Sequence, residues 1–132
     1  MRRIVLVGLV AALMVAVFAS AALARTFTCT DRPCYGTDDR DNINERPAFG
    51  VADKIYGLKR PDFINAAISP GDRDLVFGGR GNDTLRTDDG FPELVDNRDE
   101  VDGGRGTDTC YINRGDRHRS CEVLFIDGER QR

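Results

Sequence analysis

Histidine is nearly missing from this chain, and its scarcity removes several chemistries at the outset. The one histidine among 132 residues is His118, set between Arg117 and Arg119, and no serine or cysteine nucleophile stands in a spacing that ties it to that imidazole. A nucleophile–base triad therefore has no support. Zinc is poorly served as well, because the four cysteines are spaced C-x4-C and C-x10-C and a single histidine completes neither pair. Positive charge is also short. Beyond residue 24 the chain carries 17 basic against 22 acidic side chains, a net charge of −5, which argues against a nucleic-acid partner. Apolar side chains are the third shortage: only 33 of the 108 residues from 25 to 132 are apolar, too few for an ordinary globular core. Hydrophobic burial needs help from another source.

The one long apolar run lies at the start. Met1-Arg2-Arg3 is basic, Ile4 to Ala19 is almost continuously apolar, and Ala22-Leu23-Ala24 is a small-x-small cleavage site. This predicts a secretory signal peptide over residues 1–24 and a secreted mature chain, 25–132, of one domain. The run is short for a membrane anchor, so no span is expected after cleavage. In an exported chain Cys29, Cys34, Cys110 and Cys121 read as disulfides, most simply Cys29–Cys34 and Cys110–Cys121, although four cysteines allow three pairings.

The segment GGRGNDTLR, Gly78 to Arg86, combines three glycines, an aspartate and a leucine. Gly78, Gly79 and Gly81 permit a tight turn in which carbonyl oxygens converge, and Asp83 adds a carboxylate. Oxygens gathered in this way suit a hard cation, calcium above all. Alternation along an extended chain turns Asp83 and Leu85 to the same, inward side.

The pattern of aspartate followed two residues later by an apolar side chain recurs. The anchors are Asp41, Asp53, Asp62, Asp74, Asp83, Asp99 and Asp108, and their partners are Ile43, Ile55, Ile64, Val76, Leu85, Val101 and Cys110. With a third of the residues apolar, seven matches arise by chance roughly once in a few thousand trials. The anchors are spaced 12, 9, 12, 9, 16 and 9 residues apart, so the unit is a coil of 21 built from halves of nine and twelve, with four residues inserted once. That insertion is expected within Thr87 to Leu94. A period near twenty predicts an all-β solenoid of about three and a half coils, each burying its apolar positions by stacking on its neighbours, with strands of about three residues.

GGRGNDTLR and GGRGTDTCY (Gly103 to Tyr111) resemble the nonapeptide GGxGxDxUx of the RTX, or haemolysin-type, calcium-binding repeat, the second copy with Cys110 in place of the large apolar residue. CYGTDDRDNIN and TDTCYINRGDRHRSCE resemble the terminal segments of small secreted bacterial proteins of that kind. The resemblance covers about residues 34–122 and implies a parallel β-roll, with repeats over 34–111, that holds calcium ions in the turns between coils. Carried over position by position, the ion-binding residues are Gly78, Gly79, Gly81 and Asp83, and Gly103, Gly104, Gly106 and Asp108. Asp62 keeps only Gly57 of its three glycines, and Asp41 keeps Gly36, with Thr37 and Asp39 at the other two places.

Asp41, Asp62, Asp83 and Asp108 are expected to stack on one edge, about 4.8 Å apart, where a cation between coils relieves their repulsion. Asp53, Asp74 and Asp99 line the other edge; Lys54, Arg73 and Arg98 beside them offer charge compensation without metal. The run Val123–Ile126 and the Cys110–Cys121 staple predict a C-terminal cap over 112–127, and Cys29–Cys34 closes the other end. Asn82-Asp83-Thr84 matches a glycosylation sequon but overlaps the repeat, and Arg114-Gly115-Asp116 is read as a turn rather than an integrin motif. The expected function is calcium binding coupled to folding in a monomeric, non-enzymatic module. The alternatives are a calcium-independent structural or adhesive module and a small inhibitor or effector acting through the loop around Phe91.

Overall fold

The computed structural model describes residues 24–30, 32–48, 51–69, 71–90 and 98–132. The predicted signal peptide, apart from Ala24, and the loop around Phe91 lie outside the described residues. One sheet is built from β1 (Arg25–Thr28), β3 (Asp41–Asn44), β5 (Phe63–Asn65), β7 (Thr84–Arg86), β9 (Thr109–Ile112), β11 (Val123–Ile126) and β12 (Glu129–Arg130), in that spatial order. The other runs from β2 (Cys34–Tyr35) through β4 (Lys54–Lys59), β6 (Leu75–Arg80) and β8 (Glu100–Arg105) to β10 (Arg117–Arg119). From β2 to β11 successive strands alternate between the sheets, and all pairings are parallel except β11 with β12. The chain is a parallel β-solenoid of about 4 turns. That exceeds three and a half because β1 adds a rung ahead of Asp41 and β11 adds one after β9. Among the described residues no helix is long and apolar enough to cross a membrane.

The register follows the 21-residue period. Ile43, Ile64, Leu85 and Cys110 stack in one sheet, and Ile55, Val76 and Val101 in the other; all seven are 0% exposed. The step lengthens to 25 residues from Leu85 to Cys110 and from Val76 to Val101, which puts the four-residue insertion between β7 and β8. Each coil alone would leave its single inward side chain per strand exposed, so stacking supplies the core.

Strand length departs from expectation on one side. β5 and β7 have three residues, but β4, β6 and β8 have six, because Gly57, Gly78, Gly79, Gly103 and Gly104 continue the ladder instead of belonging to the turn. Tyr35, Tyr56 and Phe77 stack on the outer face at 5.0 and 4.8 Å, with the Lys54 ammonium 5.5 Å from the Tyr56 centroid. Disulfides join Cys29 to Cys34 and Cys110 to Cys121, which settles the pairing and is consistent with an extracellular or periplasmic location. At the C-terminal end β11 continues the stack and the short antiparallel β12 turns back over it, extending the cap past residue 127.

Candidate metal centre

The seven anchor aspartates lie inside the solenoid, at its two corners, and none is more than 4% exposed. A buried carboxylate needs partners, and the repeat supplies one by the same device to every anchor except Asp41 and Asp53, which open the two columns. On the short-turn edge the backbone N–H of Asp41 donates to Asp62 Oδ1 at 2.8 Å, that of Asp62 to Asp83 Oδ1 at 2.8 Å, and that of Asp83 to Asp108 Oδ1 at 2.7 Å. Glu122 stands in for a further aspartate and accepts the Asp108 N–H at 2.8 Å. Asp41, at the start of the column, has no earlier rung donating to its Oδ1, which is left without a partner.

The second oxygen is treated differently. Asp62, Asp83 and Asp108 Oδ2 are buried and meet no donor of the protein. They face glycine. A Cβ on Gly57 would stand 2.6 Å from Asp62 Oδ2 and 2.5 Å from the Gly78 carbonyl oxygen; one on Gly78 would stand 2.5 Å from Asp83 Oδ2 and 2.6 Å from the Gly103 carbonyl. Gly103 meets Asp108 Oδ2 in the same way, and Gly36 meets Asp41 Oδ2 and the Gly57 carbonyl. The first glycine of the nonapeptide is therefore required by space. Two acceptors, one carboxylate and one carbonyl, converge beside it in successive coils without a hydrogen between them. In the first coil Thr37 fills the gap, its amide and hydroxyl donating to Asp41 Oδ2 at 2.5 and 2.9 Å.

The second and third glycines answer a backbone requirement. Gly79 and Gly104 have φ of +104° and +95°, and Gly81 and Gly106 have +154° and +148°. In the degraded copy Leu58 and Arg60 occupy the corresponding places and stay at positive φ, 81° and 70°, Arg60 far from the φ of Gly81; this left-handed region costs a side-chain-bearing residue about 1–2 kcal/mol.

Burial is the main cause of perturbed acidity along this column. It pushes the Asp62 carboxyl up to about 7, with the charges of Asp83 and Asp41 adding to it against the Asp41 N–H, and Asp83 up to about 6. Asp108 is raised as well, by burial first.

The long-turn edge repeats the ladder: Asp53 N–H donates to Asp74 Oδ1 at 2.7 Å, Asp74 N–H to Asp99 Oδ1 at 2.8 Å, and Asp99 N–H to Asp116 Oδ1 at 3.1 Å. Asp116, the last residue of Arg114-Gly115-Asp116, thus terminates the second column. Charge compensation does not come from the neighbours expected. Asp53 is met by Arg32 at 3.0 Å, Lys54 turns out over the aromatic stack, and no ion pair among the described residues involves Arg73 or Arg98. Basic residues next to an inward aspartate point to the opposite face of the strand. Burial pushes the Asp99 carboxyl up to about 8 and Asp116 to about 6.

Two acidic residues that the repeat does not single out join this edge. Glu45, Asp72 and Asp74 are buried, and one carboxylate oxygen of each lies within 4.8 Å of those of the other two. Glu45 Oε1 accepts the N–H groups of Ile68, at 2.6 Å, and Ser69. Its signal is visible only once coils are aligned: Glu45 shares a register position with Ala66, Thr87 and Ile112, where every other coil buries a small or uncharged side chain.

Comparison with protein-family models, with curated proteins and with solved structures finds no match. The chemistry must be read from the geometry. The twelve glycines and aspartates singled out by the sequence are brought together coil by coil, each aspartate against the first glycine of its own turn. Among the described residues, however, three carboxylates converge at one place only, Glu45, Asp72 and Asp74. Both donor sets are all oxygen, as hard cations require.

Proposed function

We propose that this chain is an exported calcium-binding β-solenoid of the RTX-like kind, with calcium held in its Gly/Asp turns and binding coupled to folding, and with no catalytic role. One observation carries the reading: in the turns of Asp62, Asp83 and Asp108 a buried carboxylate oxygen has no donor, and at Asp62 and Asp83 that oxygen and a glycine carbonyl of the next coil both border the space, within 2.6 Å, that a Cβ on the first glycine of the turn would fill. Two acceptors facing each other repel unless a proton or a cation lies between them. A cation recruits Asp62, Asp83 and Asp108 in their ionised form, with the Gly78 and Gly103 carbonyls beside the first two. Because the pairs span adjacent coils, they assemble only as the coils stack, and ion-binding energy becomes folding energy. The higher calcium outside a cell then favours folding after export.

The test is a calcium titration of the disulfide-intact protein, followed by circular dichroism and melting in calcium and in excess chelator. Binding with a calcium-dependent rise in melting temperature is expected; identical spectra and melting in both conditions would refute the proposal.

A second reading, a calcium-independent structural or adhesive module, is favoured by the Oδ1 ladder, which gives every anchor aspartate except Asp41 and Asp53 a backbone donor from the preceding coil without any ion. Under it, reduction of the disulfides unfolds the protein and chelation leaves it unchanged.

A further inference from the structure

We propose that Glu45, Asp72 and Asp74 form a separate site for one hard divalent cation, calcium by its chemistry, on the long-turn edge of the solenoid. No glycine of the nonapeptide takes part in it. The three carboxylates are drawn from adjacent coils: Glu45 follows β3, while Asp72 and Asp74 end the turn between β5 and β6. All three are more than nine-tenths buried, and their oxygens approach within 4.8 Å of one another. Asp72 Oδ2 and Asp74 Oδ2 are buried and receive no donor from the protein, and Glu45 and Asp74 stand close enough to share a proton.

The surroundings hold the cluster in place without neutralising it. Ile68 and Ser69 donate their amides to Glu45 Oε1, and Ser69 Oγ accepts the Ala48 N–H at 2.9 Å while donating to the Arg46 carbonyl at 3.2 Å. The long turns of the two coils are thereby stitched around Glu45. Ala66 stands over Glu45 in the next coil and leaves it room. Arg32 is committed to Asp53, and among the described residues no ion pair reaches Glu45, Asp72 or Asp74. Asp53 and Asp89 add further negative charge around Asp72. Like charges this close in a buried corner are tolerated only with a proton or a cation among them. Three carboxylates without nitrogen or sulfur select calcium over zinc.

The experiment compares the disulfide-intact protein with Glu45→Gln and Asp83→Asn, each decalcified at pH 7.5 and titrated with calcium; glutamine keeps the acceptor for Ile68 and Ser69 and removes the charge. Expected is loss of one bound ion in Glu45→Gln, or at least a tenfold weakening of one, while Asp83→Asn retains that ion. A second arm needs no variant: sub-stoichiometric manganese should broaden the amide resonances of Ile68 and Ser69 in the unsubstituted protein. Unchanged stoichiometry and affinity in Glu45→Gln would overturn the site, and so would broadening confined to Gly79–Asn82 and Gly104–Thr107. Should Glu45→Gln lose its ion while Asp83→Asn binds as the parent does, this site stands and the Gly/Asp turns are the reading that fails.

Discussion

Replacing Asp62 by asparagine separates the two jobs of the anchor aspartates. Asparagine keeps an oxygen for the Asp41 N–H, bonded at 2.8 Å to Asp62 Oδ1, and turns a donor toward the Gly78 carbonyl, where Asp62 Oδ2 presents an acceptor. In metal-free solution the carboxyl is pushed from its ordinary 3.8 to about 7 by burial. A carboxyl raised in the folded state binds its proton more tightly there than in the unfolded chain, so its penalty is absent below about pH 4, grows as pH rises, and is complete above about pH 7. At 1.36 kcal/mol per tenfold, that penalty is about 4 kcal/mol; halved for solvent screening at a corner of the solenoid, about 2 kcal/mol remains. Asp62→Asn is therefore expected to stabilise the chelated protein by about 2 kcal/mol at pH 8, on the order of 10 °C in melting temperature, and to change little at pH 4. In calcium the order reverses, because only the aspartate offers the ion a charge. Thermal melts of both proteins at pH 4 and 8, with chelator and with calcium, read all four corners. Destabilisation at pH 8 in chelator, or an effect equal at both pH values, would refute the reasoning.

Leu58→Gly should stabilise the fold by about 0.5–1 kcal/mol, the cost of a left-handed leucine at φ 81° less the greater freedom of glycine when unfolded; urea titration measures it, and a loss would show the strain argument wrong. Gly78→Ala should cost about 2–3 kcal/mol, since its Cβ would press on Asp83 Oδ2 and the Gly103 carbonyl, whereas Gly128→Ala, with open space but φ of 80°, should cost only about 1–2; equal losses would mean that space at Gly78 does not matter. Reduction of both disulfides should lower stability by about 2–5 kcal/mol, and a denaturant midpoint unmoved by reductant would contradict a stapling role.

The sequence was most informative where one physical rule acted on every coil. Seven inward pairs such as Asp83 and Leu85 could be read because alternation along a strand and a 21-residue period leave no other arrangement that buries them together. The direction of each aspartate's bonds was not legible, since a backbone donor carries no residue identity: nothing in the letters says that Asp62 N–H will find Asp83 Oδ1. Leu58 and Arg60 misled in the opposite sense, because stacking on Gly79 and Gly81 imposes a glycine conformation that their own preferences oppose. Glu45 escaped because it belongs to no repeat; it is legible only as the acidic exception in a column of alanine, threonine and isoleucine. The interval from β7 to β8 could be sized from spacing, at four extra residues, without any indication of its shape.

The placement of the two disulfides gives the acidic corners a further significance. Cys110–Cys121 joins β9 to the segment leading into β11, so it ties successive rungs of the stack together. Cys29–Cys34 closes the connection from β1 to β2 and crosses no junction between Asp41 and Asp108. Those junctions rest on parallel ladders and on one buried apolar side chain per strand from β3 to β8 and two in β9, a thin core for a stack of this height. The carboxylates meet across these same junctions, Asp62 against Gly78, Asp83 against Gly103, and Glu45 against Asp72 and Asp74. Under the proposed function, carboxylates left unneutralised push the coils apart, and a bound cation turns them into the cross-links that the disulfides do not provide. On that proposal the pattern that costs stability without the ion is the one that gains most from it, and the fold of a small, apolar-poor chain becomes conditional on its surroundings.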